Sequence, residues 1–148
     1  MKSDSSGYAR KAITERTNPY RPHFTKLTGK VTAAILLQQI VFYWEEVKER
    51  QPFYKFRKPC KHNLYREGDS WTEELGFTIS EFDAAIRIIG TKIKKGVSKA
   101  EAFAGREVKN LVIYWTDSSR LTWYELNQDL FDELTDPLYE DKPPQKAS

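Results

Sequence analysis

The side chains with the clearest chemical potential lie between Ser80 and Lys95, where small and basic types recur at helical spacing. On a helical wheel they share the face opposite an apolar stripe. They are Ser80, Ala84, Arg87, Thr91 and Lys94, with Lys95 beside them. Small residues let a helix approach a groove closely, and an arginine can donate two hydrogen bonds to a guanine or a phosphate. The row therefore predicts contacts with a nucleic acid, and the alternative is an ordinary solvated face that carries lysines.

A further cation, Arg120, falls in a predicted turn between two strands. Residues 111–116 and 121–126 are rich in β-branched and aromatic types, and four turn residues separate them: Asp117, Ser118, Ser119 and Arg120. This pattern is typical of a β-hairpin. We expect Ser118, Ser119 and Arg120 at its tip to reach a phosphate or a minor groove. The alternative is that Asp117 and Arg120 only form a local pair, which contributes little energy.

No constellation in the chain predicts catalysis or metal binding. Cys60 and His62 are two residues apart and His23 is the only other histidine, so one chain lacks the four Cys or His ligands of a structural zinc site. The glycine patterns of phosphate-binding loops are absent from the sequence. The acidic residues Asp69 and Glu73 are explained by helix capping. We therefore expect no enzyme, no cofactor and no metal site, and a nuclease is the least supported hypothesis.

Two helices joined by a glycine turn must position the row of small and basic residues. Ser70 followed by Glu73 is the pattern of a capping box, which predicts a helix from about Trp71 that ends at Gly76. Thr78 and Ser80 can each cap a second helix, which is predicted to run to Gly96. Its apolar stripe comprises Phe82, Ala85, Ile86, Ile89 and Ile93.

The runs GDSWTEELGF, SEFDAAIRIIGTKIKKG and LVIYWTDSSRLTWYELN follow one another in this order. Together they resemble the winged-helix replication and regulatory proteins of phages, plasmids and integrated mobile elements, over residues 27–134. The resemblance implies an α+β fold, a winged helix-turn-helix with a long amino-terminal helix, a small antiparallel β-wing and a carboxy-terminal helix. It also implies double-stranded DNA as the partner, in replication initiation or transcriptional control. Proteins of this fold also bind other proteins.

The remaining segments predict the scaffold. Residues 28–50 have an almost uninterrupted helical composition that is apolar on many sides, which predicts a core helix or, alternatively, a homodimer surface. Phe53–Phe56 predicts a short strand that pairs with the hairpin and is followed by a basic loop. Asn127 is expected to cap a last helix that ends before Pro137. Residues 97–110 predict one helical turn or a loop.

The charge of the chain is polarised along its length. The net charge is +3, but residues 1–30 carry seven Lys or Arg against two Asp or Glu, whereas residues 111–148 carry three against eight. Arg10 and Lys11 belong to a polar arm, residues 1–25, which is predicted to be flexible and to contact DNA. The alternative for the arm is a solubilising tail. Residues 26–136 are predicted to form the winged-helix domain and residues 137–148 a disordered tail.

No apolar run approaches the roughly 20 residues that span a bilayer, and the single cysteine suits a reducing compartment. We therefore expect a cytoplasmic protein without a membrane partner. The main alternative function is a winged-helix adaptor that binds a replication or regulatory protein through the broad apolar helix, the aromatic hairpin or the acidic end. The modest net charge favours this alternative.

Overall fold

The computed structural model describes the backbone of residues 22–140 and the side chains of residues 23–136. This part has a mixed α+β fold, with the elements in the order α1 (Pro22–Thr28), α2 (Val31–Phe42), β1 (Phe53–Tyr54), α3 (Trp71–Leu75), α4 (Ile79–Ile89), β2 (Gly90–Lys92), α5 (Lys99–Ala104), β3 (Val112–Thr116), β4 (Thr122–Leu126) and α6 (Gln128–Glu140). A π-helical turn, Tyr43–Val47, extends α2, and a 3-10 turn, Val108–Asn110, precedes β3. No helix in the described part is long and apolar enough to cross a membrane.

The lead-in that the sequence predicts as one long helix is broken near its start. Gly29 has φ of +79°, a conformation that glycine adopts without steric cost and that a helix does not contain, so α1 ends before it. Helix α2 packs between α1 and α4. Its Leu36, Leu37 and Ile40 are fully buried, whereas Val31 is 50% exposed. The broad apolar surface of α2 therefore forms the core, and the homodimer stays a prediction.

Helix α3 has the ends that the sequence predicts. The Ser70 side chain accepts a hydrogen bond from the Glu73 amide, and the Glu73 carboxylate accepts one from the Ser70 amide, which completes the capping box. Gly76, in the left-handed conformation, closes the helix. Trp71 is fully buried and stacks on Phe82 of α4 with 6.1 Å between ring centroids. The pair of helices is thus joined by a short turn and by an aromatic contact.

Helix α4 begins as predicted but ends seven residues early. Thr78 and Glu81 form its capping box, and the buried stripe extends to Ile89. The next three residues form strand β2, which pairs with β3 in parallel, Thr91 opposite Ile113. The prediction of a helix to Gly96 was therefore wrong, and with it the placement of Thr91, Lys94 and Lys95 on the face of Arg87. Thr91 lies in β2, and both lysines lie in the loop that follows.

Gly90 explains where the helix gives way to the strand. A Cβ at this position would lie 3.1 Å from the Ile86 carbonyl oxygen, 3.1 Å from the Tyr114 ring and 3.2 Å from the Val112 carbonyl oxygen. Only glycine lets the end of α4 approach β3 this closely without displacing its neighbours. The amide of Ile93 then donates to the Tyr114 carbonyl at 2.8 Å, so the chain hydrogen-bonds to the sheet instead of continuing the helix.

The sheet has the strand order β1-β4-β3-β2. The hairpin of β3 and β4 is confirmed, and the predicted short strand pairs with it, Phe53 opposite Tyr124. One face of the sheet, the inner face, contributes Phe53, Tyr124 and Leu126 to the core with α2, α3 and α4. The outer face carries the alternate residues and is partly covered by α5, since Lys99 pairs with Glu125 at 2.8 Å.

The two predicted ends of the domain differ from the structure. Residues 22–25 of the predicted arm belong to α1, where Phe24 is fully buried with its ring centroid 5.9 Å from that of Phe131. Helix α6 runs to Glu140, although its end was predicted before Pro137. Arg10 and Lys11 of the arm, and residues 141–148 of the tail, lie outside the described residues.

Candidate nucleic-acid interface

Three strands have their carboxyl ends at the same end of the sheet. Strands β1 and β3 both run antiparallel to β4, and β2 runs parallel to β3. The carboxyl ends of β1, β2 and β3 therefore lie beside the hairpin tip. Six exposed cations follow these strands along the chain, and we call them the basic edge: Arg57, Lys58 and Lys61 after β1, Lys94 and Lys95 after β2, and Arg120 after β3.

The width of the basic edge suits a polyanion. From β1 to β2 the four strands have three spacings of about 4.8 Å each, so the edge is roughly 14 Å wide. Duplex DNA carries one charge per roughly 1.7 Å of its axis, so this width corresponds to about eight phosphates. Several cations of the edge can thus contact one duplex together.

The acidic groups close to the basic edge are already engaged. The Asp83 carboxylate of α4 pairs with Arg57 at 3.5 Å. Glu74 and Asp69 both pair with the buried Lys55, at 2.8 and 3.1 Å. Within the described residues, the other five cations of the edge take part in no salt bridge. Their charge is therefore available to an anionic ligand.

The carboxylate of Asp117 organises the hairpin tip. One of its oxygens accepts hydrogen bonds from the amides of Ser119 at 2.8 Å and Leu121 at 3.0 Å, and the other accepts one from the Trp123 indole at 2.8 Å. The Trp123 hydrogen bond and the two amides hold the pKa of Asp117 below its ordinary value. Arg120 reaches Asp117 only through its backbone amide, which donates to the Asp117 carbonyl at 3.0 Å. The alternative of a local Asp117–Arg120 ion pair is thus not what holds this turn.

Arg120 occupies a backbone conformation that normally selects glycine or asparagine. Its φ is +65°, in the left-handed region, at the last residue of the tip. An L-residue with a long side chain costs about 1 to 2 kcal/mol there. A strained residue at an exposed tip is an outlier from which a function can be inferred. The residue in this strained conformation carries a guanidinium group at the exposed end of the hairpin.

His62 fastens the loop after β1 to the hairpin tip. Its Nδ1 accepts a hydrogen bond from the Leu64 amide at 3.0 Å, and its Nε2 lies 2.9 Å from the Ser119 carbonyl oxygen, to which it donates. This pair of contacts corresponds to the neutral tautomer with the proton on Nε2. The loop and the tip are thus held as one surface.

A cationic cavity lies between the loop and the tip. Its volume is about 410 Å³. It is lined by Lys55, Phe56, Arg57, Lys58, Cys60, Lys61, His62, Arg120 and Thr122. Among the described residues, Lys58, Lys61 and Arg120 of this lining form no salt bridge, whereas Arg57 pairs with Asp83 and the buried Lys55 pairs with Glu74 and Asp69. The cavity therefore favours a phosphate-bearing ligand.

The α4 face keeps part of the predicted row. Ser80 and Arg87 are exposed and Ala84 is half-buried, so these three lie on one side of the helix. Burial raises the pKa of the neighbouring Tyr114, although the Arg87 charge lowers it. Thr91 does not lie on this helix face, because it belongs to β2. Its hydroxyl donates to the Lys109 carbonyl at 2.6 Å. Thr91 thus has a structural contact at the opposite end of the sheet from the tip.

The sequence predicts no metal site at Cys60 and His62. Cys60 is exposed, and His62 bonds within the loop and to the tip. Among the side chains that the structure describes, no three His, Cys, Asp or Glu form a group that could hold a metal ion. Comparisons of the chain with protein-family models, with curated proteins and with solved structures find no match.

The structure brings Arg57, Lys58 and Lys61 of the basic loop beside Arg120. The sequence marks their loop as basic but contains no local signal that the loop lies beside Arg120. That neighbourhood depends on the pairing of β1 with β4, which joins residues about 70 positions apart. Lys55 of the same loop has a different role, because it is 6% exposed and lies 5.1 and 5.2 Å from the ring centroids of Tyr43 and Trp71.

Proposed function

We propose that the protein binds duplex DNA as a winged-helix protein, with α3 and α4 as the helix-turn-helix and the β3–β4 hairpin as the wing. The order of elements supports this topology, since α2, β1, α3, α4, β3 and β4 follow as helix, strand, two helices and two strands, with β1 beside β4. Strand β2 and helix α5 are then an insertion between the recognition helix and the wing.

The observation that carries the proposal is the convergence of the basic edge with the amino-terminal half of α4. The Arg57–Asp83 pair links the loop after β1 to α4, so both lie on the same side of the molecule. In the proposed complex, Ser80, Ala84 and Arg87 face the major groove. Ser118, Ser119 and Arg120 of the wing, with Lys94 and Lys95, contact the phosphate backbone.

The resemblance to proteins of mobile elements leads us to propose replication initiation or transcriptional control as the biological role. In this scheme Arg10 and Lys11 of the amino-terminal arm add contacts to the backbone or the minor groove. No catalytic step, metal ion or cofactor is part of the proposal. The protein would act by occupying a DNA site.

The test is a fluorescence-anisotropy titration of duplex DNA with variants of the two classes of contact. Arg87→Ala should weaken binding to a selected site by roughly 1 to 3 kcal/mol and relax the base preference. Lys58→Ala and Lys61→Ala should weaken binding to all sequences and lower the salt slope by about 1 each. Lys109→Ala is the matched control, because this exposed lysine lies at the opposite end of the sheet.

Equal affinities for the basic-edge variants, the Lys109 control and the wild type would contradict the proposed orientation. The proposal would also fail if duplex DNA of any sequence did not bind at low salt. Selection of bound sites from random duplexes at two salt concentrations would supply the target and separate base readout from backbone contact.

The adaptor remains a second candidate because α6 presents an acidic outer side. Asp129, Asp132 and Asp136 are exposed along it, and α6 follows the end of β4 that lies away from the hairpin tip. This surface is complementary to a basic protein partner. Recovery of a stoichiometric protein partner, together with no duplex binding at low salt, would favour the adaptor over the DNA-binding protein.

A further inference from the structure

A line of aromatic side chains crosses the outer face of the sheet. Tyr54 lies opposite Trp123 on β1 and β4, and Trp123 lies opposite Trp115 on β4 and β3. Phe56 continues the line beyond the end of β1, with its ring centroid 6.1 Å from that of Tyr54. We call Phe56, Tyr54, Trp123 and Trp115 the aromatic row.

The rings of the aromatic row are accessible and held in place. Tyr54 is 40% exposed, and the other three are half-buried. The ring centroids of Tyr54 and Trp123 are 5.4 Å apart at an angle of 65°. The Trp123 indole is fixed by its hydrogen bond to Asp117. The core does not use these rings, since it is built on the inner face of the sheet.

Cations lie beside one end of the aromatic row. Phe56 lines the cationic cavity, so Lys58, Lys61 and Arg120 lie next to this end. At the other end the Lys99 ammonium lies 4.8 Å from the centroid of the Trp115 ring and pairs with Glu125 at 2.8 Å. Apolar rings next to a cluster of cations match a ligand with flat, uncharged faces joined by anions.

We propose that the aromatic row binds single-stranded nucleic acid, with bases stacked on its rings and a backbone phosphate in the cationic cavity. From Tyr54 to Trp115 the row covers two strand spacings, roughly 10 Å, which accommodates two or three bases. In a duplex the base faces are stacked on each other and do not reach such a platform. The ligand is therefore an unpaired strand.

This site differs from the proposed duplex surface. Helix α4 packs on the inner face of the sheet, whereas the aromatic row lies on the outer face, and the two surfaces share only the basic edge. A protein that holds a duplex on one face and an unpaired strand on the other would favour local opening of the duplex. The inference goes beyond duplex binding and does not depend on it.

The native tryptophans allow a direct test with oligo(dT) of about ten nucleotides. Trp44 and Trp71 are 6% and 0% exposed, so quenching of fluorescence by stacked bases should come from Trp115 and Trp123. Tyr54→Thr and Trp115→Thr keep strand-forming residues but remove a ring, and each should weaken oligo(dT) binding roughly 5- to 150-fold. Trp115→Phe should restore much of the affinity that Trp115→Thr loses, while part of the quenching stays absent.

Duplex affinity measured on the same variants separates this inference from the proposed function. Tyr54→Thr and Trp115→Thr should leave the affinity for duplex DNA within about twofold of that of the wild type. Arg120→Gly should weaken the binding of both duplex DNA and oligo(dT). Oligo(dT) binding without duplex binding would support the aromatic row and overturn the proposed duplex function. Wild-type affinity for oligo(dT) in both ring variants, with their circular dichroism and melting temperature preserved, would overturn the aromatic row. So would the absence of tryptophan quenching in the wild type.

Discussion

Replacement of Arg120 by glycine should make the protein more stable and should weaken the proposed binding to DNA. The left-handed conformation of Arg120, with φ of +65°, costs about 1 to 2 kcal/mol that glycine does not incur. Glycine in turn loses about 0.5 to 1 kcal/mol more conformational entropy on folding. The free energy of unfolding should therefore rise by about 0.5 to 1 kcal/mol. For a chain of this length the melting temperature should rise by about 2 to 3 °C, as measured by circular dichroism.

The same change removes one cation from the basic edge. Loss of one phosphate contact should reduce the slope of log K against log salt by about 0.9, and should weaken duplex binding roughly fivefold at low salt. Arg120→Lys is the matched control, because it keeps both the charge and the backbone strain. It should therefore change neither the melting temperature nor the salt slope.

The melting temperature tests the backbone strain at Arg120, and the salt slope tests its contact with phosphate. A lower melting temperature for Arg120→Gly would contradict the claim that the backbone of Arg120 is strained. An unchanged salt slope would refute the contact between Arg120 and the DNA backbone. A loss of affinity in a variant that has become more stable excludes misfolding as its cause, so binding and folding are separated by a single substitution.

Three further predictions concern the groups that hold the fold. Lys55→Met leaves the Glu74 carboxylate buried without its cation and should lower the free energy of unfolding by roughly 3 to 5 kcal/mol. A double-mutant cycle with Glu74→Leu in chemical denaturation should give a double loss smaller than the sum of the single losses, and additive losses would contradict the pairing. The lowered pKa of Asp117 means that its stabilising contribution is complete above the ordinary aspartate pKa, about 4, and is lost as the pH falls through the folded value. Asp117→Asn should therefore reduce the stability at pH 7 and flatten the decline below pH 4 in thermal melts, whereas identical pH profiles would contradict this role. Gly90→Ala should destabilise the protein by about 1 to 3 kcal/mol in the same melts, because the new Cβ would lie 3.1 Å from both the Ile86 carbonyl oxygen and the Tyr114 ring; a change below about 0.5 kcal/mol would show that the neighbours give way.

Elements with local signals were predictable from the sequence. The capping box of Ser70 and Glu73 marks the start of α3 by two hydrogen bonds within four residues. The Asp117 turn with flanking β-branched and aromatic residues likewise marks the hairpin. In both cases the groups that stabilise the element are close in sequence. Their pattern therefore identifies them without knowledge of the fold.

The end of α4 was not predictable in this way. The stripe from Phe82 to Ile89 continues to Ile93 at helical spacing, so periodicity alone favours a longer helix. The hydrogen bonds that end the helix come from β3, more than 20 residues later, where Gly90 lies opposite Val112. A tertiary contact thus overrides a helical pattern. For this reason Thr91, Lys94 and Lys95 do not lie on the helix that was predicted to carry them toward DNA.

The basic edge shows that the same limit applies to the candidate nucleic-acid interface. Each of its cations is visible in the sequence, but an isolated lysine or arginine in a loop is normally only solvated. Their convergence follows from the directions of β1, β2 and β3, which the strand pairing determines. Sequence reasoning identified Arg120 from the turn beside it, whereas Lys58 and Lys61 required the sheet.

The pairing of β1 with β4 also has a consequence for folding during synthesis on the ribosome. Phe53 leaves the ribosome about 70 residues before Tyr124, its partner. At a synthesis rate of roughly 5 to 20 residues per second, β4 leaves the ribosome about 4 to 14 s after β1. During this interval Phe53 and the buried Lys55 lack part of their native surroundings. The four-stranded sheet can therefore be completed only after β4 has left the ribosome.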